Sequence, residues 1–308
     1  QLEGTRDHDV CLALLPPTGG RQRGLSCTLS PSADQRTESL EWGAAASDGR
    51  LAFIAAGNAI GALVPAVQEL SLATIADPAL RTSLLAIPYT ISGRPTHSGI
   101  SQLRWLGPSR LVYLGEAVNV YSPCKDCEMD TLRSGVDGVW LDLAAGATPQ
   151  AIAGTGNASG VSPGSSEDEV YYTLGGDTRV YRETISSGAA TVVFDFGAAG
   201  IARDVHVAGT SMVAVVGGRV HFTIDPTFGP TQWDSGGFVH VVDLSNGSDL
   251  AVTGPSDRAL YRRPQVSPAG SEVVVERYPL IIINNTGIGG TIDTTVARDG
   301  DLYLVGQP

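Results

Sequence analysis

The sequence has no long apolar run and almost no lysine. No stretch of about eighteen or more apolar residues occurs among its 308 residues, so no transmembrane helix is predicted. Lys125 is the only lysine beside nineteen arginines, and the net charge is −12. This composition argues against a nucleic-acid partner, because phosphate binding requires clustered Lys and Arg. The excess of arginine over lysine suggests a GC-rich genome and a bacterial source.

Cysteine is scarce as well. The four cysteines form two close pairs, Cys11 with Cys27 and Cys124 with Cys127. An even number of locally paired cysteines in an acidic chain fits an oxidising compartment. The chain begins at Gln1 rather than at Met, which we interpret as a processed N-terminus. We therefore expect an extracellular, periplasmic or cell-surface protein.

Short strands and turns dominate what is present. The chain has 38 glycines, and its strongly apolar stretches are short and bounded by turn residues. Residues 263–280, RPQVSPAGSEVVVERYPL, predict a strand, a turn over Ser267-Pro268-Ala269-Gly270, and a second strand. The run Val273-Val274-Val275 disfavours helix because β-branched side chains restrict χ1.

A hairpin of this first type recurs along the chain. Four related segments each combine a short strand, a turn with Gly and Ser, Pro or Asp, and an apolar strand: 42–57, 103–117, 158–176 and 205–218. Their turn glycines, with that of the segment above, are Gly49, Gly107, Gly164, Gly209 and Gly270. A second type of hairpin alternates with the first and joins two strands through a small-residue turn, in 9–27, 69–88, 139–154, 180–196 and 239–254. Four strands per repeat at this period predict an all-β propeller.

The repeats resemble those of a known family. SPAGSEVVVE, followed by a strand such as LYLV or VHVVDL, resembles the WD-type repeats of TolB-like propellers, which carry a Ser-Pro-Asp-Gly-type turn. The Asp of that turn is present in Ser47-Asp48-Gly49 and missing from the turns at Gly107 and Gly209. The resemblance covers most of the chain and implies a propeller that acts as a binding platform.

We predict one domain, 1–308, with about five (alternatively six) four-stranded blades. The N-terminal hairpin 9–27 is expected to join the C-terminal blade and close the ring, which protects the sheet edges. This count leaves segment 281–308, which contains one further strand-like run. Either that run is the third strand of the closing blade, and the N-terminal hairpin belongs to a sixth, truncated blade, or the run is surplus. A surplus strand would pair within its own chain, be disordered, or be donated to a neighbouring copy, which would build a filament. The strands of this closure or donation contain Leu302, Tyr303, Leu304, Val305, Val10, Leu12 and Leu14.

Both cysteine pairs are predicted to form disulfides. Cys11 and Cys27 lie near opposite ends of one predicted hairpin, where a bridge contributes roughly 3 kcal/mol. Cys124 and Cys127 form a C-x-x-C motif on a loop rich in Ser, Pro and Asp. A zinc knuckle needs a second ligand pair, a thioredoxin-like motif needs a βαβ setting, and haem attachment needs a following His. A local disulfide is the interpretation that remains.

No catalytic motif has the setting that its chemistry needs. H-E-x-x-H is missing, whereas G-x-S-x-G and S-x-x-K each occur once, at 160–164 and 122–125. A G-x-S-x-G nucleophile elbow needs a turn between a strand and a helix, but 160–164 lies in a predicted hairpin of the first type, and 122–125 lies on the loop of the C-x-x-C motif. His206, His221 and His240 fall in one predicted blade but on different strands, which disfavours a metal site. We therefore predict no catalytic residues, no metal and no cofactor. A propeller enzyme with a site at the channel mouth stays open as an alternative, because such a site is not local in sequence.

Two aromatic residues are candidate interface residues. Tyr121 and Trp233 lie in the two long insertions, where a binding surface is expected. We expect a non-catalytic protein-interaction or structural protein whose partner is another protein or copies of itself. The alternative is a monomeric TolB-like propeller that binds a protein at one face.

Overall fold

The fold is all-β. A computed structural model describes residues 11–14, 23–27, 36–59, 67–77, 80–87, 89–91, 94–97, 99–121, 130–144, 146, 148–217, 220–225, 229–234, 237–253, 259–267, 269–287, 290–297 and 301–306. Within these residues the one helical element is a 3-10 turn, Gly197–Ala199. The strand prediction is therefore confirmed, and no described helix is long and apolar enough to cross a membrane.

Close contacts group the chain into two compact units. Unit 1 contains Gln1–Tyr121, Met129–Ser134 and Trp140–Gln150, and unit 2 contains Ser122–Glu128, Gly135–Val139 and Ala151–Pro308. The assignment of 1–308 to one domain stays a prediction.

Unit 1 contains a four-stranded antiparallel sheet and two small hairpins. The sheet has the order β3 (Arg36–Ala45), β4 (Arg50–Ala59), β5 (Val67–Thr74) and β6 (Thr82–Ile87). The hairpins are β1 (Cys11–Leu14) with β2 (Arg23–Cys27), and β7 (Tyr89–Ile91) with β8 (Arg94–His97). Leu51, Phe53 and Ala55 pack with Ala73 in a buried cluster on one face of the sheet.

A second sheet follows in the chain and has the order β12-β11-β10-β9. Its strands are β9 (Gly99–Leu106), β10 (Arg110–Tyr121), β11 (Asp130–Asp142) and β12 (Pro149–Ala151). β10 and β11 are the longest strands of this sheet, and the Cys124–Cys127 segment lies in the connection between them.

Unit 2 contains three further sheets. The first has the order β13 (Ala158–Pro163), β14 (Glu169–Leu174), β15 (Arg179–Thr184) and β16 (Ala189–Asp195). The second has the order β17 (Ala202–Ala208), β18 (Ser211–Val216), β21 (Phe238–Asp243) and β22 (Ser248–Ala251), and it carries the inserted hairpin β19 (Val220–Asp225) with β20 (Gly229–Asp234). In the third, β24 (Glu272–Gly287) pairs with β23 (Ala259–Val266), β25 (Gly290–Ala297) and β26 (Asp301–Gly306).

The sheets of unit 2 pack side by side through apolar faces. Met212, Ala214 and Val216 on β18 pack with Val180 and Phe196 between the first and second sheets. The alternate residues of the same strand face the third sheet, where a second buried cluster forms from Val213, Val215, Val239, Val273 and Val275. Burying one such Val side chain contributes about 1.5–3 kcal/mol, so each sheet of the unit depends on its neighbour.

Both types of predicted hairpin are confirmed. The first type forms β3–β4, β9–β10, β13–β14, β17–β18 and β23–β24. The second type forms β1–β2, β5–β6, β11–β12, β15–β16 and β21–β22. Glycine is needed at four of the five first-type turns because Gly49, Gly107, Gly209 and Gly270 have φ values of 86°, 65°, 60° and 74°, a region that side chains disfavour.

Candidate interaction surfaces

Two hairpins of unit 2 extend beyond their sheets. In the first sheet of the unit, the second and third strands are joined directly by residues 175–178. In the second sheet the connection between the second and third strands contains the whole β19–β20 hairpin. In the third sheet this connection contains β25, which pairs with residues 280–287 of β24. β20 lies in contact with β25. These two hairpins, 220–234 and 280–297, are called the hairpin surface below.

One predicted interface residue belongs to the hairpin surface. Trp233 lies on β20, opposite His221 on β19. Tyr121 is the last residue of β10, at the end of the long β10–β11 pair. Strands in regular antiparallel pairing hold their positions better than an irregular loop does, so the backbone supports Trp233 as an anchor.

The C-terminal strand pairs within its own chain. Leu302, Tyr303, Leu304 and Val305 lie opposite Glu276, Val275, Val274 and Val273 of β24. This arrangement is the within-chain alternative of the sequence analysis, with β26 as the third strand of the last sheet. Donation of the strand to another copy, and the filament that would follow, stay predictions.

The N-terminal hairpin has the predicted register. Cys11 lies directly opposite Cys27, Leu12 lies opposite Ser26, and Leu14 lies opposite Arg23. Directly opposite residues of an antiparallel pair have Cα atoms about 4.5–5.5 Å apart, which is within disulfide range. Val10, Cys124 and Cys127 lie outside the described residues. Both disulfides stay predictions. Closure of the ring by this hairpin also stays a prediction, because in the described part of the chain β1 and β2 pair only with each other.

Two of the three histidines considered for a metal site have structural contacts. His206 Nδ1 accepts a hydrogen bond of 3.1 Å from the backbone N–H of Val266. His240 is buried, and its Nδ1 lies 2.9 and 3.1 Å from the two carboxylate oxygens of Asp249. The ring of His240 also contacts Phe196 edge-on at 5.3 Å. Among the described residues, no three His, Cys, Asp or Glu side chains group closely enough to hold a metal ion.

A buried carboxyl group lies in unit 2. Glu183 on β15 is 1% exposed, and neither of its carboxyl oxygens has a hydrogen-bond partner of good geometry among the described groups. Burial raises the pKa of Glu183, and the nearby Tyr172 hydroxyl offsets part of this rise. Burial, together with the Glu183 charge, raises the pKa of Tyr172 to about 12. The Tyr172 ring stacks on Tyr181 with centroids 5.2 Å apart, which restricts its movement. Sequence reasoning did not find this group.

An open pocket of about 320 Å³ lies in unit 1, beside the turns at Gly49 and Gly107. The Arg50 guanidinium covers the Trp105 ring at 4.5 Å, forms an ion pair of 2.7 Å with Asp48, and donates to the Pro108 carbonyl. The backbone N–H of Arg50 donates to Asp48 and lowers the pKa of that carboxyl group. Trp105 Nε1 donates to the Ala44 carbonyl at 2.9 Å. The polar groups of this pocket are thus used to hold neighbouring turns together.

Comparison with known proteins identifies the fold. The chain is similar to a TolB-type protein from Agrobacterium tumefaciens, with a TM-score of 0.52, 13% identity and 94% of each chain covered. Other similar structures are TolB from Acinetobacter baumannii (TM-score 0.45, 12% identity, 88% of this chain and 68% of that one) and an oligogalacturonate lyase in complex with manganese (0.48, 12%, 94% and 69%). No family model matches the sequence, and no curated protein matches it. The first likeness confirms the TolB-like β-propeller fold, whereas the number of blades stays a prediction.

Proposed function

We propose that this chain is a non-catalytic, extracytoplasmic propeller that binds another protein through the hairpin surface. The observation that carries the proposal is the contact between β20 and β25. These strands belong to two insertions, each of which lies between the second and third strands of its sheet. In the first sheet of unit 2, residues 175–178 alone connect the second and third strands, so a sheet of this kind does not need an insertion there. The TolB-like fold supports the proposal by analogy.

An ordered insertion has a cost in conformational entropy. Ordering the backbone of an inserted segment costs about 1–2 kcal/mol per residue, and an isolated two-stranded hairpin is marginal in water. Two hairpins in contact stabilise each other and present a larger ordered surface. Trp is among the residues most enriched at the centre of protein interfaces, so Trp233 is the expected anchor.

The test is a binding comparison in three steps. Proteins from the extracytoplasmic fraction of the source are captured on the purified chain. Each captured protein is then purified and titrated against wild type, Trp233→Ala and Leu250→Ala. Leu250 is a matched apolar control because it lies on β22 of the same unit and is 48% exposed. We expect a partner whose affinity falls roughly 30-fold with Trp233→Ala, as for an anchor worth about 2 kcal/mol, and is unchanged with Leu250→Ala.

Two results would contradict the proposal. The binding surface is wrong if every captured protein binds Trp233→Ala as tightly as it binds wild type. The non-catalytic assignment is wrong if the purified chain turns over a member of a glycan and peptide substrate panel.

A further inference from the structure

We propose that Asn246 is a deamidation site and that Asp243 slows its reaction in the folded protein. Asn246 is followed by Gly247, and no other asparagine of the chain precedes a glycine. Asparagine is a thermolabile residue, and a following glycine has no side chain to crowd the reacting atoms. Both residues are exposed to water in the turn between β21 and β22. This inference does not depend on the hairpin surface.

The reaction is a hydrolysis that passes through a cyclic imide. The backbone nitrogen of Gly247 attacks the side-chain carbonyl carbon of Asn246 and forms a C–N bond, which closes a succinimide ring. The bond between that carbon and Nδ2 breaks, and Nδ2 leaves as ammonia with the proton that the Gly247 nitrogen gives up. Water then opens the ring at either of its carbonyl carbons and produces aspartate or isoaspartate. Water is the only other reactant.

Hydrogen bonds hold all three reacting groups in the folded turn. The Gly247 N–H donates to the backbone carbonyl of Asp243 at 2.8 Å. Asn246 Nδ2 donates to Asp243 Oδ2 at 2.8 Å, and Asn246 Oδ1 accepts from the Ser248 N–H at 2.8 Å. The first two bonds must break before the ring can close, because the Gly247 nitrogen loses its proton and Nδ2 departs. The third bond fixes the orientation of the side chain, so the fold opposes the reaction.

The charge of Asp243 opposes the reaction as well. Asp243 Oδ1 accepts from the Ser245 hydroxyl at 2.6 Å and from the Ser245 N–H at 2.9 Å. These bonds lower the pKa of the Asp243 carboxyl group, which is therefore ionised at neutral pH. Loss of the Gly247 proton places negative charge on the nitrogen, and a neighbouring carboxylate disfavours a second negative charge.

Deamidation is expected to loosen the outer edge of the second sheet of unit 2. The product has a carboxylate where the Asn246 amide now donates to Asp243, so two negative groups would meet at that contact. Isoaspartate also adds a carbon atom to the backbone between Asp243 and Ser248, which lie opposite each other in the β21–β22 pair. β22 is the outer strand of its sheet and has four residues. We therefore expect faster amide hydrogen exchange in β22 after the reaction.

Peptide mapping by mass spectrometry tests the proposal on the full chain. The protein is incubated at mildly alkaline pH, folded in buffer or unfolded in guanidinium chloride, and the conversion of the Asn246 amide to a carboxyl group is followed with time. We expect Asn246 to react at least about tenfold more slowly in the folded chain, since hydrogen bonds to the reacting groups must break first. Equal rates in the folded and unfolded chains would overturn the proposal.

Substitutions of Asp243 test its part in slowing the reaction. Asp243→Ala removes the side-chain hydrogen bonds and the charge, so it should raise the rate at Asn246 in the folded chain about fivefold. Asp243→Asn keeps an acceptor oxygen and removes only the charge, so its rate should lie between those of wild type and Asp243→Ala, and it gives a second measurement if Asp243→Ala does not fold. Asp195→Ala is the matched control, because it makes the same change in net charge and removes a carboxylate that accepts from Thr178 and Gly197 in a turn of the first sheet. The proposal is overturned if neither variant of Asp243 reacts faster than wild type, or if Asp195→Ala accelerates the reaction equally.

Discussion

Replacing the buried carboxyl group of Glu183 should change how stability depends on pH. Glu183 is 1% exposed, and burial raises the pKa of its carboxyl group. The folded state therefore holds the proton more tightly than the unfolded chain does. Between the unfolded and the folded pKa the native state binds more protons, so the free energy of unfolding falls as pH rises through this window. The penalty is complete above the folded pKa and absent below the unfolded pKa.

The size of the effect follows from the carboxyl group's surroundings. Leaving a buried polar group without a hydrogen bond costs about 1–3 kcal/mol, and more when the group is charged. Glu183→Gln removes the charge and keeps the shape. Relative to wild type, we expect this variant to gain about 1–3 kcal/mol between pH 4 and pH 8, because the wild type loses stability over this range while the amide does not titrate.

Urea denaturation followed by circular dichroism at several pH values measures this difference. The change in slope with pH is the readout, because an amide in the same site has its own unpaired groups and shifts the absolute stability. Glu272→Gln is the control, since Glu272 is exposed on β24 of the same unit. Parallel pH profiles for wild type and Glu183→Gln would refute the reasoning. So would an equally large effect of Glu272→Gln.

Two further predictions concern packing beside Glu183. Gly154→Ala should destabilise the protein more than Gly176→Ala does, by at least about 1 kcal/mol in thermal or urea unfolding. Both glycines have positive φ, +73° and +84°, but only at Gly154 would a Cβ lie 2.9 Å from the Tyr172 hydroxyl. Equal losses of stability would show that the Tyr172 side chain moves to make room for the Cβ. Thr155→Val should cost about 1–3 kcal/mol in the same assay, because Thr155 Oγ1 accepts from Gly138 N–H at 2.8 Å and donates to the Ile152 carbonyl at 2.7 Å. Thr155→Ser keeps the hydroxyl, so equal losses for both variants would show that the methyl group matters instead.

The strands and hairpins could be predicted because their signals are local. Gly49 and Gly270 lie in the turns before β4 and β24 and adopt positive φ, and the apolar strand that follows each turn is β-branched or aliphatic. Such turn chemistry needs no knowledge of the neighbouring sheet. The register of Cys11 opposite Cys27 was predictable for the same reason, since both residues belong to one hairpin.

The buried polar contacts could not be predicted, because they join residues of different elements. Glu183 lies in a strand whose other residues include Arg179, Arg182 and Thr184, so the sequence marks it as an exposed position. Its burial depends on the packing of Gly154 and Tyr172 against it. Thr155 likewise contacts Gly138, seventeen positions earlier. Thr253 makes the equivalent contact in the sheet of β17, β18, β21 and β22, where its hydroxyl accepts from Val239 N–H at 2.9 Å. Thr155 and Thr253 thus follow β12 and β22 at matching positions, and this repetition is a signal of the buried contact that the sequence does contain.

The place of β26 changes what closure of the ring would require. The sequence left two roles for Leu302–Val305, and the structure pairs these residues with β24, in the third-strand position that β15 and β21 hold in their sheets. The other sheets of unit 2 complete themselves with a second-type hairpin, whose second strand is the outer one. With β23, β24 and β26 in place, the last sheet lacks only that outer strand. If the N-terminal hairpin 9–27 closes the ring, it therefore contributes one strand rather than two, and its other strand, β1 or β2, must pair elsewhere or remain an edge.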